Sequence, residues 1–277
     1  DVKENIRNLF IDQISVWIDP DKVSFCLQSA IPEDSELAVI LSMLVSKSRL
    51  ERIPTLKDVL RDLKIDNPSL GLLSYPVLMS ADILMVKSNL VPVGKDQASH
   101  VELTREIAEK FNNTYNEVFP LPEALIPEDL GTLPGIDGKA KMSKSLDNAI
   151  YLSDDAATVE QKVMRMYTDP TRIKPTDPGH VEGNPVFIYL GEFGSEGDKN
   201  RISEYKDKYK KGQVGDVEVK KFLVEVLNRF LEPIRKRRAE FIAQDSLVEE
   251  ILTEGTAKAR KEAQETLNQV RKAIGLP

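Results

Sequence analysis

The spacing of apolar and polar positions separates a first half that mixes strands with helices from a second half that is helical throughout. Ile6, Leu9, Phe10, Ile14 and Trp17 recur at three- and four-residue steps, so 5–17 reads as an amphipathic helix stopped by Asp19-Pro20. Residues 23–28 are short, apolar and partly β-branched, which predicts a strand. A break at 29–32 gives way to an expected helix over 34–46. Residues 56–63 suit a helical turn, and Asp66-Asn67-Pro68 interrupts the chain. The apolar run 71–87 carries Met79, Asp82, Ile83 and Met85 at helical spacing and predicts a buried helix behind Pro76. A short strand over 89–94 then ends at Gly94 and leads into a helix over 97–111.

Residues 120–147 hold four prolines and three glycines and read as loop. Beyond them the pattern is helical over 154–166, 183–193, 201–209, 217–243 and 247–274. Strands alternating with helices imply an α/β fold with a parallel, Rossmann-like sheet. We therefore expect an α/β domain over 1–153 and a helical domain over 154–277, whose last helix packs back on the α/β domain. No internal repeat is evident. In open parallel sheets ligands sit beyond the carboxyl ends of the strands, where glycine admits the backbone and helix starts offer free N–H groups. Residues 90–97 combine a strand, a glycine turn and a helix start.

Composition narrows the classes further. At 277 residues, 41% hydrophobic and 30% charged, the chain is globular and long enough for two domains. Its single cysteine, Cys26, excludes a disulfide scaffold and a multi-thiolate metal site, and suits a reducing, cytoplasmic setting. The apolar runs 38–45 and 75–86 fall short of the roughly 20 residues needed to span a membrane. The net charge of −7 is uneven, because residues 201–277 carry 17 Lys+Arg against 13 Asp+Glu. A basic helical end allows a polyanionic partner; an ordinary solvated surface explains the charge equally well. His100, on a helix with Glu102 and Arg105, is expected to face solvent or an interface, and His180 lies in a Pro-Gly loop. No metal site is expected from them.

The most specific segment is Lys141-Met142-Ser143-Lys144-Ser145. Two lysines three residues apart can meet a polyphosphate, two serines can donate to its oxygens, and Gly135 and Gly138 allow closure over a ligand. The pentapeptide resembles the signature loop of class I aminoacyl-tRNA synthetases. Three further segments resemble the tryptophanyl-tRNA synthetase family in order and approximate spacing: 71–84 (GLLSYPVLMSADIL), 91–97 (VPVGKDQ), and Thr168-Asp169-Pro170 followed by Gly183-Asn184-Pro185-Val186-Phe187. The resemblance runs from about residue 3 to the C-terminus.

That resemblance implies ATP-dependent activation of L-tryptophan to tryptophanyl-adenylate, then transfer to tRNA(Trp), by a cytoplasmic homodimer using Mg²⁺. Lys141 and Lys144 would be catalytic, and Lys141, Met142, Ser143, Lys144 and Ser145 would bind ATP together with Gly94 and Asp96. For tryptophan it implies Asp82 as acceptor of the indole N–H, Met79 packed on the ring, Val91 lining the pocket, and Tyr75 and Gln97 at the carboxylate and ammonium groups. Indole has one donor and no acceptor, so a carboxylate in an apolar pocket selects it. Read without the resemblance, Asp82 caps a turn, Tyr75 and Val91 are core, Gln97 starts a helix, and Gly94-Lys95-Asp96 is a turn. Lys57 sits where the family has a mobile lysine-bearing loop, although 57–70 differs in length and composition. The helical domain would read the anticodon, with Arg235, Lys236, Arg237 and Arg238 either on tRNA phosphates or in solvent. The apolar helices 34–46 and 71–87 would supply the dimer interface.

The chain opens on Asp1, and against the family it resembles it lacks a first strand, a histidine-bearing tetrapeptide and part of the tryptophan pocket; either these were cut or left out, which the non-methionine start and the retained lysine loop favour, or the natural protein has lost them. Two rivals remain at this point: a tyrosyl-type synthetase, and a non-catalytic RNA-binding or dimerising paralogue. The Met79-Ser80-Ala81-Asp82 segment argues against the first and the retained lysine loop against the second.

Overall fold

The computed structural model describes residues 1–126, 133–138, 142 and 146–277. Its elements run α1 (Val2–Ser15), α2 (Pro32–Ser42), α3 (Lys47–Leu50), α4 (Pro54–Asp62), α5 (Leu70–Met85), β1 (Leu90–Pro92), α6 (Ala98–Thr114) and β2 (Glu123–Leu125). Then follow α7 (Ala156–Met164), α8 (Pro185–Phe193), α9 (Lys199–Lys210), α10 (Asp216–Ile242) and α11 (Asp245–Ala273).

Local chemistry sets several of these starts. Asp1 caps α1 by accepting from the Lys3 N–H, Ser69 caps α5 through Leu72, and Asp155 caps α7 through Thr158. Pro32, Pro54 and Pro185 occupy first-turn positions, where their missing N–H costs nothing. Pro76 lies inside α5, and the Ser80 hydroxyl takes up the Pro76 carbonyl at 2.9 Å.

Packing gathers the described residues into two compact units, which divide the chain differently from a boundary at 153/154. One unit holds residues within 1–19 and 130–245; the other holds those within 20–129 and 246–277.

In the first unit, Val159, Val163, Tyr189, Leu190, Tyr209, Phe222 and Leu223 form the core. Basic side chains serve this packing. Arg172 is buried against the Tyr209 ring, 4.1 Å from its centroid, and pairs with Asp216 at 3.1 Å. The buried Lys220 amine donates to the Met166 carbonyl at 2.6 Å and to Thr168 Oγ1 at 2.9 Å, and burial pushes it below the usual lysine range. Asp169 of the Thr-Asp-Pro segment is buried too. Burial alone would raise its carboxyl, but hydrogen bonds from the Thr171 hydroxyl and amide and from the His180 amide and ring hold it well below the usual carboxylate range. In the 235–238 cluster, Arg238 pairs with Asp12 at 2.7 Å and Arg237 donates to the Ile14 carbonyl at 3.3 Å. Arg235 bonds the Asp154 carbonyl at 2.9 Å, which leaves the exposed Lys236 beside Glu232. Three of the four charges therefore fix α1 and the approach to α7.

In the second unit, Leu37, Leu41, Ile53, Leu56, Leu84 and Phe111 form a core that Ala263, Leu267 and Val270 of α11 complete. The sheet is small: β1 and β2 pair in parallel, with Leu90 opposite Glu123 and Pro92 opposite Leu125. β2 lies in the stretch that its prolines and glycines mark as loop. The strand expected over 23–28 does not form. Its backbone lies against α11, where a Cβ on Gly255 would stand 2.0 Å from the Phe25 carbonyl oxygen. The Leu27 N–H goes to Thr256 Oγ1 at 2.9 Å in place of a strand neighbour. A side chain thus takes the Leu27 N–H that a sheet ladder would have used, and a helix glycine makes room for the approach.

Candidate active site

The site builds up from α5. Tyr75, Met79 and Asp82 are spaced by four and three residues, which puts them on one helix face, and all three are half-buried. The opposite face, with Val77, Ala81 and Leu84, enters the core. α6 packs beside α5, and the Thr104 hydroxyl reaches Ser80 Oγ at 3.0 Å.

β1 and the turn after it carry the next group. Val91 is half-buried in β1, Gly94 and Asp96 are exposed, and Gln97 is half-buried at the end of a one-turn helix, Lys95–Gln97. A Cβ on Gly94 would lie 2.7 Å from Asp96 Oδ1, so glycine lets the carboxylate fold over the turn. Gln97 donates to Asp96 Oδ2 at 3.0 Å. Lys57 lies exposed on α4.

His100 ties the two groups together, and here the expectation of an exposed histidine fails. The side chain is 1% exposed, with Nε2 3.1 Å from the Tyr75 hydroxyl. The first turns of α6 face α5, so the histidine enters the packed side. Burial lowers its affinity for a proton, and Asp96 opposes that in part. A neutral imidazole shares one hydrogen with the Tyr75 hydroxyl and so fixes the phenol. Burial likewise raises the Tyr75 hydroxyl.

Asp82 makes the second cluster. Its Oδ1 accepts from Gln28 Nε2 at 2.7 Å. Burial raises the Asp82 carboxyl, and the Gln28 bond works against that rise. Asp34, in the first turn of α2, is 1% exposed, and its oxygens meet no donor among the described residues. Burial first, then the neighbouring Asp82 charge, raises Asp34 to about 7. The Cys26 thiol is raised by partial desolvation and by both carboxyl groups. Gln28 and Asp34 carry no motif. The sequence signals were weak: a polar residue closing an apolar stretch, and an acid at a helix start, where acids are ordinary.

Of the pentapeptide only Met142 is described; it is half-buried against the core of its own unit, and its amide donates to the Leu133 carbonyl at 3.2 Å. Lys141, Ser143, Lys144 and Ser145 lie outside the described residues. No group of three or more His, Cys, Asp or Glu among the described residues could hold a metal ion.

The apolar face with one placed carboxylate, beside a strand, glycine turn and helix start, has the make-up of a nucleotide-dependent amino-acid site. Residues 1–232 match the family model of class I tRNA synthetases (W and Y). The tryptophan–tRNA ligase of Treponema pallidum is 51% identical over 98% of this chain and 80% of its own length. That of Chlamydia caviae is 51% identical over 100% of this chain and 80% of its own. A crystal structure of Campylobacter jejuni tryptophanyl-tRNA synthetase complexed with ADP and tryptophan matches 99% of this chain and 83% of that one, at 39% identity and a TM-score of 0.84. The chain belongs to the tryptophanyl branch of the class I tRNA synthetases.

Proposed function

We propose that the chain activates L-tryptophan with ATP and passes the tryptophanyl group to tRNA(Trp), in the cytoplasm, where translation uses the product. The observation that carries the choice of amino acid is Asp82, a half-buried carboxylate on a largely apolar helix face, with only Oδ1 engaged by Gln28. Its remaining acceptor sites suit a single ring N–H. A phenol, which both donates and accepts, finds its match less well there.

In the first step a tryptophan carboxylate oxygen attacks the α-phosphorus of ATP. The bond from that phosphorus to the bridging oxygen breaks, and pyrophosphate leaves. In the second step a hydroxyl of the tRNA terminal ribose attacks the acyl carbon, and AMP leaves. No side chain needs to act as nucleophile; positioning and charge stabilisation suffice. Met79 and Val91 would hold the ring, Tyr75 and Gln97 the carboxylate and ammonium groups, and Gly94 and Asp96 the ribose of ATP. Lys141, Ser143, Lys144 and Ser145 would meet the phosphates, with Met142 anchoring their loop in the core and Lys57 a further candidate. Mg²⁺ would neutralise phosphate charge; held by phosphate oxygens and water, it needs no protein cage. The helical domain over 154–277 would read the anticodon.

The test is amino-acid-dependent exchange of labelled pyrophosphate into ATP. Tryptophan supports exchange and tyrosine does not; exchange with tyrosine alone points to the tyrosyl type, and none with either, from folded protein, to a non-catalytic paralogue.

A homodimer is part of this reading. Val39 on α2 and Leu70 at the start of α5 are 60% and 80% exposed at a groove of about 320 Å³ that they line with Ala38 and Leu78, and Met43, just after α2, is 78% exposed. Apolar surface of this kind favours a second apolar surface over water. Met43→Glu is expected to move the molar mass measured by light scattering from dimer to monomer. An unchanged mass places the interface elsewhere.

A further inference from the structure

Neither backbone nor packing accounts for Trp17, the single tryptophan of the chain. It stands just past the end of α1 with φ of 64°, in the left-handed region that costs a bulky side chain and favours glycine. Burial offers no compensation, because the residue is 56% exposed. A backbone outlier of this kind on the surface calls for a functional reason. The ring meets a cation: the Arg237 guanidinium of α10 lies 5.6 Å from the Trp17 ring centre and 5.4 Å from that of Phe241, within the range of cation–π attraction. That charge has no anion. The side chain donates to the neutral Ile14 carbonyl at 3.3 Å, and its Nε is buried without a partner. Asp12 pairs with Arg238 at 2.7 Å, and Glu232 with Arg235 at 3.6 Å and Lys236 at 3.4 Å. Among the described residues no carboxylate, Glu240 one turn further along α10 included, forms an ion pair with Arg237. The neighbouring Lys236 side chain is 71% exposed.

An exposed indole next to an unneutralised guanidinium matches the two halves of a nucleotide. A flat base stacks on the ring, and a phosphate meets the cation. An acidic peptide would answer the charge and leave the ring in water. An apolar protein surface would cover the ring and bury the charge unpaired. We infer that Trp17 is a stacking platform for an unpaired base of the bound tRNA, with Arg237 attracting the adjoining phosphate. This rests on the reading of the chain as a tRNA ligase. RNA suits the platform better than a free nucleotide does, because a ring more than half exposed holds one nucleotide weakly. A polymer bound elsewhere on the protein presents its bases there at high effective concentration. Stacking is tolerant of base identity, so the platform adds affinity and orientation and leaves the choice of tRNA to other contacts.

Because Trp17 is the only tryptophan, the indole emission of the whole chain reports on this one ring. The experiment follows its fluorescence lifetime as a tRNA(Trp) transcript is added to the full chain without free tryptophan, with binding checked in parallel by filter retention. The lifetime is expected to shorten along the binding curve and to stay unchanged with AMP at the same nucleotide concentration. Trp17→Gly, which suits the left-handed backbone, is expected to keep the Tm while weakening tRNA affinity roughly 5- to 100-fold, the worth of one base on an aromatic ring. Trp17→Phe is expected to recover most of that loss. An unchanged lifetime with tRNA bound, or equal tRNA affinity for wild type and Trp17→Gly, overturns the platform and leaves the ligase reading standing. Quenching by AMP equal to that by tRNA assigns the ring to a mononucleotide and overturns its role toward RNA. A wild type that retains no tRNA on the filter overturns both the platform and the tRNA reading.

Discussion

Asp82→Asn is expected to lower kcat/KM for tryptophan roughly 10- to 100-fold, the worth of a hydrogen bond to a charged partner, and to do so mainly through KM for tryptophan. Gln28 Nε2 already donates to Asp82 Oδ1. In the asparagine variant the one carbonyl oxygen stays with Gln28, and the amide nitrogen then faces the indole N–H, donor against donor. Flipping the amide only moves the conflict to Gln28. KM for ATP is expected to hold, because Gly94 and Asp96 lie on the turn after β1, outside the Gln28–Asp82 bond. Stability should also hold or rise, since a partly buried charge is removed. Asp82 lies inside α5, three residues from its end, and caps nothing. Initial rates of pyrophosphate exchange against tryptophan concentration, with a melting curve for each protein, separate the two readings. A lower Tm with unchanged KM would show Asp82 to be structural and end its assignment to the indole.

What the sequence disclosed and what it withheld follow from the range of the interactions involved. Helices were legible because apolar spacing, proline starts and capping side chains act within a few residues; α5, α7, α8 and α10 all lie close to where periodicity puts them. Residues 23–28 were misread because their fate depends on Gly255 and Thr256, more than 220 positions away. β2 was missed because three exposed residues gain their structure only from β1. The boundary near 153 follows the change in local pattern, whereas packing groups α1 with α10; the last helix, α11, falls with the strand-bearing unit, in line with its expected return to the first domain. In the site, Tyr75, Met79 and Asp82 could be picked out because their helix spacing and their motif agree. His100, Gln28 and Asp34 could not. His100 and Gln28 take their meaning from one partner on another element, the Tyr75 hydroxyl and the Asp82 carboxylate, and Asp34 from having no donor among the described residues. The basic run 235–238 reads in sequence as either phosphate-binding or solvated, and its charge pattern alone does not show that three of its arginines bond α1 and the approach to α7.

Lys144→Ala is expected to slow adenylate formation by roughly 100- to 1,000-fold, the usual cost of removing a donor aimed at charge that develops in a transition state, and to leave tryptophan binding within about twofold. As the carboxylate of tryptophan attacks, negative charge moves from the α-phosphorus onto the departing pyrophosphate. An ammonium on a flexible four-carbon stem can follow that charge, which a fixed dipole cannot. The residues proposed for tryptophan, by contrast, are carried on α5 and on β1 with the turn after it, and residue 144 is not among them. Single-turnover measurement of adenylate formation, set beside calorimetric binding of tryptophan, separates the two effects. Lys144→Arg keeps the charge but spreads it over a rigid planar fork, so it is expected to recover only part of the rate. Full recovery would mean that charge alone acts there. Equal losses of rate and of tryptophan binding in Lys144→Ala would mean that the loop supports the pocket and does not act on the leaving pyrophosphate.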